Sequence, residues 1–364
     1  MNKVEEPACS PQWNEQQPGS QASIVIANYN GSAYLDACLS SVLATSPGSE
    51  VIVIDNASCD NSLALLAGWA GRVQTVALPN NIGYGAANNL GAAIAHAPYL
   101  VFLNPDTETE PGWLEPLIQA LARDPQCGLV TPKIVKLREA DRINTCGLDV
   151  HISGLTLCHG LNQVRDQVRR TERTASISGA AFAMRKSLFV DVGGFDQSFF
   201  LYMEDTDLSW RVQQAGYTCK VVAAAVVRHA YTLRIGPRKV FYQERNRYLM
   251  LVKCLQWATL AAMLPVLLLA EVVTWGFVIL HQRQCWRNKI DAYLWVARNW
   301  DRIMSSRRAV QSRRRIGDHQ LLAQCTHSLA YDQVGQSGAT QLAGTLFDPI
   351  FGLLQQAVLA VVRW

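Results

Sequence analysis

Residues 99–106, which read YLVFLNPD, constrain the fold of this chain more than any other stretch. An apolar run of this length, without polar alternation, predicts a strand that is buried on both faces. Pro105 has no N–H to give to a neighbouring strand, so the strand must end there. Asp106 would then lie at the carboxyl end of a buried strand, where open α/β sheets bind ligands and where a carboxylate suits a divalent cation. Asp106 fits a helix cap or a turn equally well, and this stretch alone does not decide between the two.

Strands and helices alternate through the first third of the chain. Short apolar runs predict buried strands, and a turn followed by helical spacing or an alanine-rich segment separates each strand from the next. The predicted strands cover residues 23–28, 50–55, 73–78 and 99–103, and the predicted helices cover residues 32–43 and the segments that end at Trp69 and Ala97. This alternation implies βαβ units with right-handed crossovers. The predicted fold class is α/β, Rossmann-like, with a mostly parallel central sheet flanked by helices.

The pattern loosens after a predicted helix over residues 113–123. Residues 130–150 contain short strand-like pieces, and the polar, basic residues 159–175 are typical of a mobile loop. Strands are predicted over residues 178–185 and 220–227, with a helix over 206–214 between them that ends at Gly216.

The C-terminal third combines apolar stretches with a block of positive charge. Glu271 is the only charged residue between Cys254 and Gln282, a length that suffices to cross a bilayer, although a carboxylate at mid-depth must be paired. Residues 283–315 hold ten Lys or Arg and two Asp in a chain of net charge +4. Such a block beside an apolar stretch predicts contact between residues 254–315 and the cytoplasmic face of a membrane, and argues against nucleic-acid binding. A spanning helix, an interfacial helix, a re-entrant pair and a buried amphipathic helix all fit.

Composition divides the 364 residues into four parts. The first part is a polar, disordered lead-in over 1–21, and the second is a domain over 22–250, with a nucleotide-binding half at 22–110 and an acceptor-binding half at 111–250. The third part is a set of apolar and basic membrane-associated helices over 251–315. The fourth covers 316–364 and contains a linker-like stretch at 317–340 and a C-terminal apolar helix. The lead-in has no apolar segment of the signal-peptide type, and none of the ten cysteines forms a CxxC pair. We therefore expect reduced thiols and no zinc site.

Ligand-type residues follow the predicted strands of the first half. The side-chain amide of Asn28 and the aromatic ring of Tyr29 could hold a nucleobase. Asp55 could accept a hydrogen bond from a base N–H or a ribose hydroxyl. Asn81 and Gly83 belong to a turn before a helix, where glycine would let the backbone approach phosphate. Each piece also fits an ordinary turn, and the chain has neither GxGxxG nor GxxxxGK[ST].

The second half offers reactive groups. Glu204 and Asp205 are adjacent acids behind the aromatic residues 199–202 and in front of a helix, where they could act as a general base or could simply cap the helix. His229 ends a strand and could ligate a metal through one ring nitrogen, although a lone histidine is more often structural.

These pieces, taken in order, resemble the family 2 glycosyltransferases with the GT-A fold, especially the rhamnosyltransferase-like branch. The resemblance covers roughly residues 23–253. The matching segments are SIVIANYNG (23–31), EVIVIDNAS (50–58), NNIGYGAANNLG (80–91), YLVFLNPDTE (99–108), SGAAFAMRK (178–186), VGGFDQSFFLYMEDTDLSWRVQQAGY (192–217) and VVRHAY (226–231).

The resemblance implies a role for each matching position. Asp106 stands where the family has the second acid of its Asp-x-Asp motif and would bind Mg²⁺ or Mn²⁺, whereas Asn104 replaces the first acid. The remaining implied roles are a metal ligand at His229, the catalytic base at Asp205, contacts to the nucleotide base at Tyr29 and Asp55, and an acceptor-side lining by Ser178, Gly179 and Ala180. Residues 243–247, QERNR, lack the Gln-x-x-Arg-Trp motif of the processive synthases, which favours one addition per encounter.

The expected activity is a single displacement with inversion at the anomeric carbon. A sugar, with rhamnose suggested by the branch, would pass from a nucleotide-diphosphate donor to a hydroxyl of a lipid-linked or polysaccharide acceptor in cell-envelope glycan synthesis. Two alternatives are a catalytically silent membrane-bound protein that binds nucleotide sugars or glycans, and a different nucleotide-using transferase or dehydrogenase.

Overall fold

The computed structural model describes residues 20–232, 235–333 and 338–364, so most of the predicted lead-in lies outside the described residues. The strands are β1 (Ala22–Asn28), β2 (Glu50–Asp55), β3 (Gln74–Ala77), β4 (Tyr99–Leu103), β5 (Thr107–Thr109), β6 (Cys127–Lys136), β7 (Ile143–Thr145), β8 (Leu148–Val150), β9 (Thr156–Cys158), β10 (Glu172–Arg173), β11 (Ala181–Arg185) and β12 (Thr218–His229).

The helices alternate with these strands at first and then follow them. They are α1 (Leu35–Thr45), α2 (Ser62–Gly68), α3 (Tyr84–Ile94), α4 (Leu114–Arg123), α5 (Lys186–Asp191), α6 (Glu204–Gln214), α7 (Pro237–Cys254), α8 (Trp257–Ala262), α9 (Leu264–His281), α10 (Trp286–Arg298), α11 (Trp300–Gln311), α12 (Asp318–Leu322) and α13 (Gly338–Val361).

The central sheet has the order β10-β12-β6-β11-β4-β1-β2-β3. β1 pairs in parallel with β2 and β4, and β3 continues the parallel half beside β2. β11 is antiparallel to both of its neighbours, β4 and β6, and β12 is parallel to β6. Therefore β12 runs in the same direction as β4, and its carboxyl end lies at the same edge of the sheet. The predicted α/β class with a mostly parallel sheet is confirmed.

Alternate residues of the central strands enter two different cores, which explains their unbroken apolar sequence. Ile24 and Ile26 of β1 pack with α1 and α4 on one face, whereas Val25 packs with α3, α5 and α6 on the other. A third cluster joins Trp210 of α6 to α7 and to the helices that follow it, including Phe351 of α13. The predicted domain boundary at residue 250 falls inside α7.

Several predicted segments differ in the structure. The apolar stretch 254–282 is interrupted at Leu255 and Gln256 and forms the end of α7, then α8 and α9. The predicted linker 317–340 instead contains α12 and buries Leu321, Leu322 and Leu329, because these apolar side chains fill the third cluster. In the predicted loop 159–175, β10 pairs with β12. The basic block is not wholly on the surface either, since Lys289 and Arg307 are buried.

Candidate active site

Polar side chains from separate segments gather at one edge of the sheet. Asn28 and Asp55 end the parallel strands β1 and β2, Asp106 follows β4, and His229 ends β12. Because these strands run in the same direction, their carboxyl ends share this edge. The Ser178–Ala180 segment reaches the same place, since the Asn104 N–H donates to the Ala180 carbonyl at 2.9 Å.

Asp106 and His229 face each other across the β5–β12 pairing. Thr107 of β5 lies opposite His229, and the Ala230 N–H donates to the Asp106 carbonyl at 3.0 Å. The Asp106 Oδ1 atom is 3.3 Å from His229 Nε2. On the other side of the ring, His229 Nδ1 lies 2.8 Å from Asn144 Oδ1, which would accept a proton carried on Nδ1. That tautomer would leave the Nε2 lone pair free for a cation beside Asp106.

Two acceptor atoms held face to face fit a cation between them, and the surrounding carboxylate and imidazole are common metal donors. Among the described residues there is no group of three or more His, Cys, Asp or Glu side chains arranged to hold a metal. Asp106 and His229 would therefore supply only part of a coordination sphere. Mg²⁺ ordinarily completes such a sphere with substrate phosphates and water.

Asp205 lies in the first turn of α6, beside the Ser178–Ala180 segment. Its Oδ2 accepts the Gly179 N–H at 2.8 Å, and its Oδ1 accepts the Thr206 N–H at 2.7 Å. A Cβ at position 179 would lie 3.1 Å from Asp205 Oδ2, so the close approach favours glycine there. Burial raises the pKa of Asp205, and the two N–H donors offset part of that rise. A half-buried carboxylate with a raised pKa is suited to accept a proton.

Glu204 lies deeper than Asp205. It is buried, and its Oε2 atom has no hydrogen-bond partner within the described part of the chain. Burial and the neighbouring Asp205 charge raise the pKa of Glu204 to about 8. The raised pKa of Glu204 favours its protonated form near neutral pH, whereas the N–H donors to Asp205 favour the charged form of Asp205.

Tyr84 connects the two halves of the site. Its hydroxyl donates to the Gly179 carbonyl at 2.7 Å, and its N–H donates to the Phe200 carbonyl at 2.7 Å. Burial raises the pKa of Tyr84 well above its usual value, and the charges of Glu204, Asp205 and Asp106 raise it further. The phenol thus lies within the field of all three carboxylates.

Residues 200–203, which precede the acids, have an unusual backbone. Phe200, Tyr202 and Met203 have φ of 62°, 68° and 65°, a left-handed region that costs a non-glycine residue free energy. Asn246 of α7 holds the segment, because its Nδ2 donates to the carbonyls of Phe199, Leu201 and Tyr202 at 3.0, 2.9 and 2.7 Å.

The turn before α3 packs against that segment. Gly83 has φ of 89°, and a Cβ there would lie 2.6 Å from the Phe200 carbonyl oxygen, so contact with Phe200 explains the glycine. Asn81 and Asn56 shape the turn: Asn81 Oδ1 accepts the Gly83 N–H at 2.9 Å, and Asn56 Oδ1 accepts the Ile82 N–H at 2.9 Å. A phosphate contact by this turn stays a prediction.

The predicted nucleobase residues differ in accessibility. Tyr29 is 44% exposed at the edge of the site. Asp55 is fully buried, and its oxygens accept from Asn28 Nδ2 at 2.8 Å and from the Ser58 N–H at 3.0 Å. Asp55 thus fixes the ends of β1 and β2, and its contact with a base stays a prediction.

Sequence reasoning did not identify Tyr84, Asn144 or Asn246. Tyr84 was within the NNIGYG segment, so its position after the glycine turn was a signal that could have been used. Asn144 and Asn246 carry no such signal, because their partners are 85 and between 44 and 47 positions away along the chain.

Comparisons with known proteins find glycosyltransferases that are similar to this chain. Residues 23–193 match the family model described as Glycosyl transferase family 2. The N-acetylglucosaminyl-diphospho-decaprenol L-rhamnosyltransferase of Mycobacterium tuberculosis is 28% identical over 229 residues, which cover 57% of this chain and 75% of the relative. The pre-mycofactocin glycosyltransferase of the same species is 31% identical over 199 residues, covering 54% of this chain and 41% of the relative.

Solved structures show the same fold. Staphylococcus aureus TarS 1–349 in complex with UDP has a TM-score of 0.51 at 15% identity, with 94% of this chain and 89% of that chain covered. GalNAc-T7 with UDP, GalNAc and Mn²⁺ has a TM-score of 0.54 at 20% identity, with 65% of this chain and 48% of that chain covered. The chain thus spans about half the length of that structure, and both likenesses concern the GT-A fold alone.

Proposed function

We propose that the protein, whose residues 23–193 are a family 2 glycosyltransferase domain, is an inverting, metal-dependent transferase. It moves a sugar from a nucleotide-diphosphate donor to a hydroxyl of a lipid-linked or polysaccharide acceptor in cell-envelope glycan synthesis. Rhamnose is the first donor sugar to test and a polyprenyl-diphosphate sugar the first acceptor, because the rhamnosyltransferase relative is named for that sugar and that kind of substrate. The cytoplasmic face of the membrane is the place where such an acceptor would be met.

The observation that carries the proposal is the arrangement of carboxylates around Tyr84. Asp106 with His229 lies on the donor side, where Tyr29, Asn104 and the turn at Asn81 and Gly83 would contact the nucleotide. A divalent cation bound there would offset the negative charge that gathers on the diphosphate as the glycosidic bond breaks. Asp205 lies on the acceptor side, against the Gly179 N–H at 2.8 Å.

Asp205 has the chemistry that the acceptor step requires. As the acceptor oxygen attacks the anomeric carbon from the face opposite the diphosphate, its hydroxyl proton passes to an Asp205 carboxylate oxygen. The Gly179 and Thr206 N–H groups fix the direction of that carboxylate. Glu204, which is largely protonated at neutral pH, leaves the negative charge on Asp205 and does not compete for the proton.

A donor screen tests the activity. Thermal shift with a panel of nucleotide sugars that includes dTDP-rhamnose, with and without Mn²⁺, selects a donor, and transfer to a polyprenyl-diphosphate sugar is then followed by mass spectrometry. We expect stabilisation by one donor that increases with Mn²⁺, and a product whose anomeric configuration is opposite to that of the donor. Donor binding without turnover would favour the silent binding protein, and retained configuration would refute single displacement.

Asp205→Asn tests the base. The amide keeps the shape of the side chain but cannot accept the acceptor proton, so turnover should fall at least about a thousandfold while donor affinity stays within a few-fold. Asp191→Asn, at an exposed acid at the end of α5, is the matched control and should behave as wild type. Unchanged turnover in Asp205→Asn would remove Asp205 from the mechanism.

A further inference from the structure

Two C-terminal helices expose uncharged apolar stripes. On α9 the stripe has a four-residue spacing, and Leu264, Leu268 and Val272 are 54%, 59% and 61% exposed. On α13 the stripe contains Leu342, Leu346, Ile350, Leu353 and Val361, and the exposed positions between residues 342 and 361 carry no charged side chain. Both helices are long and apolar enough to cross a membrane by composition alone. An exposed apolar surface of this extent marks an interaction site.

The opposite faces of the same helices are inside the protein. Val266, Ala270 and Val278 of α9 and Phe351 and Val358 of α13 belong to the third cluster, which also contains Trp210 of α6. Each helix is therefore apolar on both sides, but one side already packs on the domain. A helix surrounded by lipid would have no such fixed inner face, whereas a helix lying in the plane of a membrane surface requires one.

Polar contacts hold both ends of α9 to the domain. Before its start, the Gln256 N–H donates to Asp318 Oδ2 at 2.8 Å, and Met263 is fully buried. Beyond its end, Lys289 Nζ lies 2.9 Å from Glu244 Oε2 of α7. The 18 residues of α9 extend about 27 Å, so a spanning α9 would place these two attachments on opposite sides of a bilayer.

Glu271, at the centre of α9, faces inward. It forms ion pairs with Arg247 and with Lys289, the latter at 3.2 Å, and it accepts from the hydroxyls of Tyr248 and Tyr293. Burial alone would raise the pKa of Glu271, but these cations outweigh it and lower the pKa to about 2. The charge that would be costly in a bilayer is thus neutralised on the domain side of the helix.

Positive charge follows the α9 stripe along the chain. In the block after α9, Arg283, Arg287, Arg298, Arg302, Arg308, Arg313 and Arg315 are exposed, against the exposed acids Asp291 and Asp301. Arg283 and Arg287 follow the end of α9 directly, and Trp286 between them is 45% exposed. Arginines and an interfacial tryptophan beside an apolar surface are complementary to anionic phospholipid headgroups.

We propose that α9 and α13 form a monotopic membrane-binding face, which lies parallel to an anionic bilayer with the two stripes in the interfacial region. The face does not depend on the proposed chemistry, because it rests on exposure and charge alone. Such a face would hold the domain at a surface on which a lipid-linked acceptor diffuses.

Vesicle co-sedimentation of the full chain tests the face. Wild type should bind vesicles of equimolar phosphatidylcholine and phosphatidylglycerol, more weakly at high salt, and phosphatidylcholine vesicles poorly. The double variant Leu268→Glu with Leu353→Glu should lose at least about tenfold in partitioning, because two apolar contacts are replaced by charges that anionic lipid repels. Val190→Glu, at an apolar α5 residue that is 64% exposed, is the control and should bind as wild type.

Labelling separates the in-plane arrangement from a spanning one. On a background with Cys9→Ser and Cys59→Ser, Ala261→Cys, in α8 just before α9, and His281→Cys, at the last residue of α9, place exposed thiols near the two ends of that helix. With protein bound to the outside of sealed vesicles, a membrane-impermeant maleimide should label both positions. Protection of one end would overturn the in-plane arrangement, and equal binding of the double variant and the control would overturn the face itself. Transfer to a water-soluble acceptor should be the same in the double variant and in wild type. If wild type does not transfer a sugar at all, that result refutes the proposed function and does not affect the vesicle measurement.

Discussion

Asn246→Ala should disable the proposed chemistry without touching a substrate contact. Its side chain holds the left-handed segment that ends at Glu204 and Asp205 by donating to three carbonyls between Phe199 and Tyr202. Three left-handed non-glycine residues store roughly 3–6 kcal/mol of backbone strain. An amide has two hydrogens, so its removal loses about two hydrogen bonds and leaves half-buried carbonyls unpaired, a cost of roughly 2–4 kcal/mol.

The loss is comparable with the strain, so we expect the segment to relax and carry the start of α6 with it. Urea unfolding should show a decrease of about 2–4 kcal/mol in the free energy of unfolding. In the folded variant, kcat should fall by more than tenfold, because the segment positions Asp205. The Mn²⁺ dependence should persist, because Asp106 and His229 lie after β4 and at the end of β12, away from this segment along the chain. The isosteric Asn246→Asp should not rescue activity, since it presents an oxygen to the carbonyl oxygens.

Gln311→Ala is the matched control for Asn246→Ala. The Gln311 amide also donates to two carbonyls, those of Lys253 and Cys254 at 3.0 and 2.8 Å. The Cys254 carbonyl also accepts from Gln214, which is at the opposite end of α6 from Asp205. It should lower stability by a similar amount and leave kcat unchanged. The reasoning fails if Asn246→Ala keeps wild-type kcat when folded, or if the control loses kcat to the same extent.

Three further variants probe separate parts of the site. Asp106→Ala should abolish the Mn²⁺-dependent thermal shift by the donor and weaken donor binding, whereas wild-type transfer that ignores chelators would count against a metal at Asp106. Burial keeps Glu204 protonated from its ordinary pKa of 4.5 up to about 8, so wild-type stability should fall as pH rises through that range. Glu204→Gln should remove this slope in urea titrations, and parallel curves for the two proteins would contradict it. Gly83→Ala should destabilise by about 2–4 kcal/mol, since a Cβ at φ 89° meets the Phe200 carbonyl, whereas Gly68→Ala, with no atom within 4 Å, should not.

The sequence predicted the sheet edge well because the central strands are buried on both faces. Strand β4 stops at Leu103, just before Asn104 and Pro105, and strand β2 matches its predicted bounds. Once the strands are parallel, the carboxyl ends that carry Asn28, Asp55 and Asp106 must meet. The sequence pattern could not predict that β11 lies antiparallel between β4 and β6, because the β4–β11 pairing joins residues about 80 positions apart.

The C-terminal region was harder to predict because its charges find partners far along the chain. Glu271 was expected to need a partner, and the sequence could not say that Arg247 and Lys289 provide it from different helices. Without those partners, α9 could be a spanning helix as easily as an interfacial one. The pairing decides which face of α9 is turned to the domain and therefore which face is free.

The segment QERNR in α7 shows how one stretch can be uninformative in sequence and central in structure. In the sequence, these residues indicate only that the chain lacks the motif of the processive synthases. In the structure, Asn246 holds the segment before Asp205. Arg247 pairs with Glu271 of α9, a helix of the proposed membrane face, and Glu244 pairs with Lys289 of α10, which follows α9. Adjacent positions on one helix thus connect the acceptor side of the site to that face. The local spacing alone favours an exposed polar helix here. In the structure, residues 244–247 are four buried polar residues in a row, because tertiary packing brings their partners to them from distant parts of the chain.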